Sequence, residues 1–212
     1  MKIKFALLFI AIMLTQNIKA QFIKGFEIDF KAGIGYTNTL ETTEARVTGD
    51  LGTDIGLIFD YDISGGLFYN HFNTTSRVDD YLGEKFLFRS NYTGIYLKKT
   101  FFPRSFVHFS IPVRIGIGGA NYSNHVVTDY DGYDDDSVFH LHEKEDKCFI
   151  YALEPGIQVE FNLADEAVRL GTGVSYRKLG NLHLNYGDGY KIASGCDLDG
   201  PVFNVSLIIA IE

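Results

Sequence analysis

A strand with an uninterrupted apolar face constrains this chain more than any other feature. Residues 105–121 alternate between large apolar side chains and a small or polar set, which is the period of two of a β-strand. One face holds Val107, Phe109, Ile111, Val113, Ile115 and Ile117, and the other holds His108, Ser110, Pro112, Arg114, Gly116 and Gly118. The second set suits a narrow polar lumen, so we expect the apolar face to point outward. Such a face needs hydrocarbon around it, and the only sheet that tolerates hydrocarbon is a closed barrel.

The first 20 residues have the features of a secretory signal peptide. Lys2 and Lys4 precede an apolar run over residues 5–14, and Ala20 is the small residue at the expected cleavage site. An N-terminal membrane anchor is the weaker alternative, because the run is about half of the ~20 residues that a spanning helix needs. We therefore predict export, cleavage after Ala20 and one outer-membrane barrel domain over residues 21–212.

The rest of the chain indicates an all-β protein. It is rich in glycine (22), tyrosine (13) and phenylalanine (18), and no segment after the signal keeps a helical period. Strands are predicted near residues 26–36, 47–62, 67–75, 85–101, 105–121, 148–161 and 168–177, with a last strand ending at residue 211. Short turns, one of them at residues 63–66, alternate with long polar loops, as in bacterial outer-membrane barrels. The expected fold is an eight-stranded antiparallel up-and-down transmembrane β-barrel, apolar outside and polar in the lumen.

The faces of two strands are harder to assign. In the third strand Phe68 and Phe72 compete in phase with Leu67 and Tyr69, so its faces are left open. In the fourth strand the aromatic residues are expected outward and two polar residues inward. The outward set is Phe86, Phe88, Tyr92 and Tyr96, and the inward pair is Arg89 and Asn91.

The alternation also predicts a charged lumen. The expected inward acids are Glu27, Asp29, Asp54, Asp60, Glu154 and Glu160, and the expected inward bases are Lys31, Arg89, Arg114, Arg169 and Arg177. The interior of an eight-stranded barrel is just wide enough for side chains to fill it. We expect Glu160 to meet Arg169 near the periplasmic mouth and Arg114 to meet Glu154 at mid-height. An unpaired buried charge would cost several kcal/mol, so the sequence predicts a plugged lumen.

Two further features lie in the loops of the second half. Clustered carboxylates and imidazoles between the fifth and sixth strands are weak candidates for a divalent cation site: Asp129, Asp131, Asp134, Asp135, Asp136, His140 and His142. The spacing is not that of an EF-hand, and a solvated acidic loop is the favoured alternative. No other cofactor is expected.

Cys148 and Cys196 fall at the external ends of strands, and export exposes them to oxidising conditions, so a disulfide between them is expected.

One pair of residues invites a catalytic hypothesis. His108 and Ser110 resemble the His-x-Ser pair of outer-membrane lipid A deacylases, in which a histidine could activate a serine nucleophile. Both are expected in the lumen near the periplasmic end, where packing is the favoured alternative. An acidic exported chain is a poor candidate for binding nucleic acid, and the formal net charge of the whole chain is −8.

Short motifs in the last third carry a family resemblance. They are Glu154-Pro155-Gly156, Val159-Glu160-Phe161-Asn162, Arg169-Leu170-Gly171, Ser175-Tyr176-Arg177 and Gly200-Pro201. This part of the chain resembles the small Gram-negative outer-membrane barrels of OmpA-like or PorT-like type. The resemblance implies a monomer in contact with outer-membrane lipid, lipopolysaccharide and the barrel assembly machinery, but no single activity. The leading hypothesis is a non-enzymatic barrel whose external loops serve surface interaction or envelope integrity. A narrow channel or small-ligand transporter of the OmpW type and a lipid-modifying enzyme are the alternatives.

Overall fold

The fold is known from a computed structural model. It describes residues 23–37, 47–75, 84–126, 143–164, 167–186, 190–194 and 198–211. Within these ranges no helix is long and apolar enough to cross a membrane.

Eight long antiparallel strands form a closed barrel. The strands of the chain are Ile23–Tyr36 (β1), Val47–Phe59 (β2), Ile63–Thr75 (β3), Glu84–Phe101 (β4), Val107–Val126 (β5), Glu143–Ala164 (β6), Val168–Gly180 (β7), His183–Tyr186 (β8), Tyr190–Ser194 (β9) and Gly200–Ile211 (β10). Each barrel strand pairs with its sequence neighbour, β10 follows β7, and β10 pairs with β1 to close the ring. Short connections lie at one end of the barrel, which we call the turn end. The opposite end, with the longer connections, is the loop end. The predicted all-β, eight-stranded up-and-down barrel is confirmed.

The outer wall is apolar, as the alternation predicted for most strands. Large exposed side chains cover β1, β2, β5, β6, β7 and β10, among them Phe30, Leu51, Ile115, Ile157, Val174 and Phe203. Phenylalanines gather at the turn end, where the rings of Phe101 and Phe109 stack with centroids 4.7 Å apart. An apolar band that ends in aromatic residues is typical of the outer surface of a membrane barrel.

The first short turn differs from the prediction. It lies at Asp60–Asp62 rather than at residues 63–66, and its reversal is made by Tyr61 and Asp62, whose φ angles are 63° and 56°. The glycines that suggested the turn belong to β3. A Cβ on Gly66 would lie 2.1 Å from the carbonyl oxygen of Ile55, so glycine is needed there because two backbones approach closely.

The predicted faces of β4 are wrong. Phe88, Tyr92 and Tyr96 are buried in the lumen, whereas Arg89 and Asn91 are exposed on the outer wall. The side chain of Phe86 lies outside the described part of the structure. The aromatic rings fill lumen space near β3, where the Tyr92 ring meets the Phe68 ring edge-on with centroids 5.8 Å apart. Aromatic side chains suit both lipid contact and a packed interior, so their chemistry did not determine the face.

Two predicted loops contain strand. β5 and β6 continue their pairing to His125 and Glu143, well into the segment expected to be irregular after residue 121. Between β7 and β10, where a plain loop was expected, β8 and β9 form a separate two-stranded hairpin. The leucines of this segment, Leu182, Leu184 and Leu198, are fully buried against the loop end of the lumen. These buried leucines pack the segment against the barrel. The polar residues around them in the sequence had suggested a solvated loop instead.

Candidate functional site

The structure brings nine of the ten charges proposed for the lumen network into the barrel interior. Arg89 is the exception, because its face of β4 forms part of the outer wall. The buried nine are Glu27, Asp29, Lys31, Asp54, Arg114, Glu154, Glu160, Arg169 and Arg177. Asp60, also expected inward, sits in the turn and is partly exposed, with Oδ1 3.6 Å from Lys24 Nζ. The interior charges form three layers along the barrel axis.

The layer at the turn end joins two acids and two bases. Glu27 accepts hydrogen bonds from Lys98 Nζ and from Arg169 Nη2, both at 3.0 Å. Arg169 Nη1 donates to Glu160 at 2.9 Å, and Lys98 Nζ lies 3.9 Å from the same carboxylate. Ser64 Oγ and Tyr96 Oη also donate to Glu27, at 2.7 Å and 3.2 Å. Each charge therefore has an opposite charge in contact, as buried charges require.

His108 and Ser110 belong to this layer rather than to a nucleophilic pair. Ser110 Oγ donates to Glu160 Oε1 at 2.5 Å, and His108 Nε2 lies 3.1 Å from Glu160 Oε2. Both residues are buried. A histidine that activates a serine must share a hydrogen bond with it, whereas here the carboxylate stands between them. The arrangement orients Glu160 toward Arg169.

The middle layer is centred on Arg114. Its Nη2 donates to Asp54 Oδ2 at 2.9 Å and its Nη1 donates to Glu154 Oε1 at 3.2 Å. Lys31 also contacts Asp54. Tyr92 donates to Glu154 at 2.7 Å. This layer ties β1, β2, β4, β5 and β6 together across the lumen.

Asp29 stands between these two layers without a hydrogen bond. Its carboxylate is buried, and neither oxygen has a donor among the described residues. Lys31, Lys98 and Arg114 are the cationic neighbours whose charges reach it. Their combined positive field offsets part of the cost of burying a carboxylate that no donor contacts.

The loop end of the lumen is closed by one arginine and a group of apolar side chains. Arg177 pairs with Asp50, donates to Thr48 Oγ1 at 3.2 Å, and places its guanidinium carbon 3.7 Å from the centre of the Phe72 ring. Above it lies a buried apolar cluster that includes Phe72, Phe88, Tyr122, Ile150, Leu179, Leu182, Leu184 and Leu198. This apolar layer closes the lumen on the loop-end side of Arg177.

Sequence reasoning missed Lys98 and Asp50. Lys98 shares its phase on β4 with Ser90 and Thr100, which are also buried, and that polar set was the signal for the correct inward face. Asp50 lies four residues before Asp54 on β2, in the same phase, so period two alone would have placed it in the lumen.

Several expectations fall outside the described residues. The signal peptide over residues 1–20 and the seven candidate cation ligands between residues 129 and 142 are among them. Cys148 is half-buried on β6, but its expected partner Cys196 is also outside the described ranges. The disulfide and the cation site remain predictions.

Comparisons with known proteins support the fold. No protein-family model matches the chain, and no curated protein matches it. Among solved structures, a major outer membrane protein from Thermus thermophilus is similar with a TM-score of 0.51 and 9% identity, covering 88% of this chain and 99% of that one. Neisserial surface protein A has a TM-score of 0.48, 10% identity and coverage of 87% and 96%, and Ail of Yersinia pestis has 0.44, 11%, 89% and 100%. The similarity to the Thermus protein supports the closed barrel and carries no residue-level function.

Proposed function

We propose that this protein is a non-enzymatic barrel of the Gram-negative outer membrane, with a closed lumen and with activity confined to its outer wall and external loops. The observation that carries the proposal is the combination of an apolar outer wall with a lumen filled by paired charges. Such a wall is stable only in hydrocarbon, and the closed ring leaves no unpaired strand edge there. Surface interaction or support of the envelope is the role left to such a barrel.

The filled lumen argues against a pore. Three layers lie across it, and each contains either paired charges or tightly packed apolar side chains. An ion passing through would have to separate buried pairs, and breaking one such pair costs about 3–5 kcal/mol. We therefore propose a barrel that does not conduct.

A transporter of the OmpW type would need a lateral opening or an uncharged lumen. The pairing of β5 with β6 is interrupted where Ile111 and Pro112 would meet the facing strand, which is the weakest seam in that pair. Immediately above it, Arg114 on β5 bonds to Glu154 on β6 and holds the two strands together. The seam is therefore bridged by a buried ion pair, which favours the closed barrel over a lateral gate.

A lipid-modifying enzyme is also disfavoured. The serine and histidine that suggested it are buried at the turn end, and an enzyme acting on outer-leaflet lipid would need them on the outer wall near the loop end. The proposal includes no cofactor. Its partners are outer-membrane lipid and lipopolysaccharide, with the barrel assembly machinery acting during insertion, and the barrel is a monomer.

Two measurements test this proposal. The mature protein should fractionate with outer membranes and migrate differently on gels with and without heating, as a closed barrel does. Planar bilayers containing purified protein should show no sustained unitary conductance. Recovery as a soluble periplasmic protein without detergent would contradict the membrane placement. Steady single-channel currents would instead favour the hypothesis of a narrow channel.

A further inference from the structure

A polar cluster lies on the outer wall of β3 and β4, beside the exposed apolar side chains of Leu67 and Ile95. Asn91 Oδ1 accepts a hydrogen bond from Tyr69 Oη at 2.8 Å and lies 2.7 Å from His71 Nδ1. Because both contacts use the oxygen of Asn91, they leave its side-chain NH₂ group available as a donor. Arg89 lies two residues further toward the loop end on the same face, exposed and opposite Asn73. We call Tyr69, His71, Asn73, Arg89 and Asn91 the wall cluster.

Arg89 is the charged member of the wall cluster. No side chain in the described part of the chain forms an ion pair or hydrogen bond with it. The lumen bases all contact carboxylates, as the pairs of Arg114 and Arg169 show, whereas Arg89 on the outer wall has no carboxylate in contact within the described part of the chain. A guanidinium presents a fork of donors that matches the oxygens of a phosphate.

An apolar groove adjoins the wall cluster on the side toward the barrel middle. It has a volume of about 550 Å³ and runs over the outer faces of β10, β1 and β2 as far as Tyr69 on β3. Phe30, Leu51 and Val205 line it with exposed apolar side chains, and the small residue Ala32 lies beside them in the lining. This volume falls within the range of about 300–1,000 Å³ found for small-molecule sites. Tyr69 belongs to both features and joins the groove to the polar donors.

We propose that the groove and the wall cluster together bind one anionic lipid of the leaflet at the loop end. The acyl chain lies in the groove and the phosphate contacts Arg89 and the Asn91 amide. The order of the two parts fits a lipid in a bilayer, because the apolar groove lies nearer the membrane centre and Arg89 nearer the loop end. This inference rests on the proposed membrane placement and names a specific lipid site within it.

Lipid titration of the purified, folded full chain tests this site. Native mass spectrometry in mild detergent can compare the first bound phosphatidylglycerol with the first bound phosphatidylcholine. The wild type should bind phosphatidylglycerol about fivefold more tightly, the effect of one basic residue at an anionic surface. Arg89→Gln should remove this preference. The matched control Lys178→Gln, which removes an exposed base from the outer wall of β7, should keep it.

Two further measurements distinguish the groove from the polar cluster, and a lipid headgroup from free phosphate. Ala32→Leu fills the groove and should weaken both lipids by a similar factor, without changing their ratio. Millimolar inorganic phosphate should not displace the lipid, since it cannot occupy the groove. Displacement by phosphate, equal binding of both lipids by the wild type, or equal effects of Arg89→Gln and Lys178→Gln would each overturn the inference.

The same samples distinguish this inference from the proposed function. Heat-modifiable migration after refolding into phosphatidylcholine vesicles reports barrel closure and insertion independently of headgroup preference. A chain that inserts but shows no preference for phosphatidylglycerol refutes only the lipid site. A chain that fails to insert refutes both.

Discussion

Removing Arg114 should destabilise the barrel strongly while leaving it closed to ions. In Arg114→Met the hydrogen bonds to Asp54 and Glu154 are lost, although most of the side-chain stem is kept. Losing one partner of a buried ion pair costs about 3–5 kcal/mol. Lys31 still contacts Asp54, and Tyr92 still donates to Glu154 at 2.7 Å. We therefore expect a loss of about 3 kcal/mol in the free energy of unfolding, at the lower end of that range.

Urea unfolding in phosphatidylcholine vesicles measures this loss. The chain contains no tryptophan, so folding is best followed by gel mobility and far-ultraviolet circular dichroism rather than tryptophan fluorescence. Arg89→Met is the matched control, because it removes an unpaired arginine from the wall and should change stability by less than about 0.5 kcal/mol. Adding Glu154→Gln to Arg114→Met should recover at least about 1 kcal/mol, since Arg114 is the cation that pairs with Glu154, whereas Asp54 keeps Lys31.

Conductance gives the second readout of the same variant. Arg114→Met should remain non-conducting, because the turn-end charges and the apolar layer around Phe72 still close the lumen on either side. A loss of stability no larger than that of Arg89→Met would refute the argument that the pair is buried and desolvated. Opening of a steady pore by Arg114→Met alone would refute the three-layer description of the lumen.

Three further predictions follow from other parts of the chain. Gly66→Ala should destabilise the barrel by about 1–3 kcal/mol in urea unfolding because its Cβ would overlap the facing backbone, whereas Gly119→Ala, with 3.7 Å to its nearest neighbour, should be close to neutral. Ser110→Ala should lower stability without removing any deacylase activity, and activity in the wild type that the variant lacks would restore the enzyme hypothesis. Cys148 and Cys196 should appear as a disulfide in non-reducing mass spectrometry, and two free thiols would refute the bond.

The alternation of side chains with a period of two predicts much of this fold from the sequence alone. On β1, β5, β6, β7 and β10 polar and apolar side chains alternate cleanly, and each strand has the orientation that its pattern predicted. The inward charges were readable for the same reason. Glu160 and Arg169 flank one short turn, and they meet at 2.9 Å as their sequence separation suggested.

Strands with ambiguous chemistry could not be assigned in this way. On β4 the outward residues Ile95 and Leu97 and the inward residues Tyr92 and Tyr96 are all acceptable to lipid, so hydropathy alone favoured the wrong face. The inward face of β4 depends on packing against β3. There the Phe68 ring leaves lumen space that the Tyr92 ring fills. Because the two faces of β4 were predicted the wrong way round, Lys98 was not expected in the lumen. It is the base that contacts both turn-end carboxylates, Glu27 and Glu160.

The sequence by itself determined that the chain forms an apolar-walled barrel with charges inside, because alternation depends only on neighbours along a strand. Only the tertiary structure decided which charges pair across the lumen. Glu27 on the first strand bonds to Arg169 at 3.0 Å, a contact between residues 142 positions apart. Such a contact depends on how the ring closes and on the stagger of its strands, and no local pattern encodes either. The same closure brought the wall cluster and the groove together, since they combine residues of β10, β1, β2, β3 and β4.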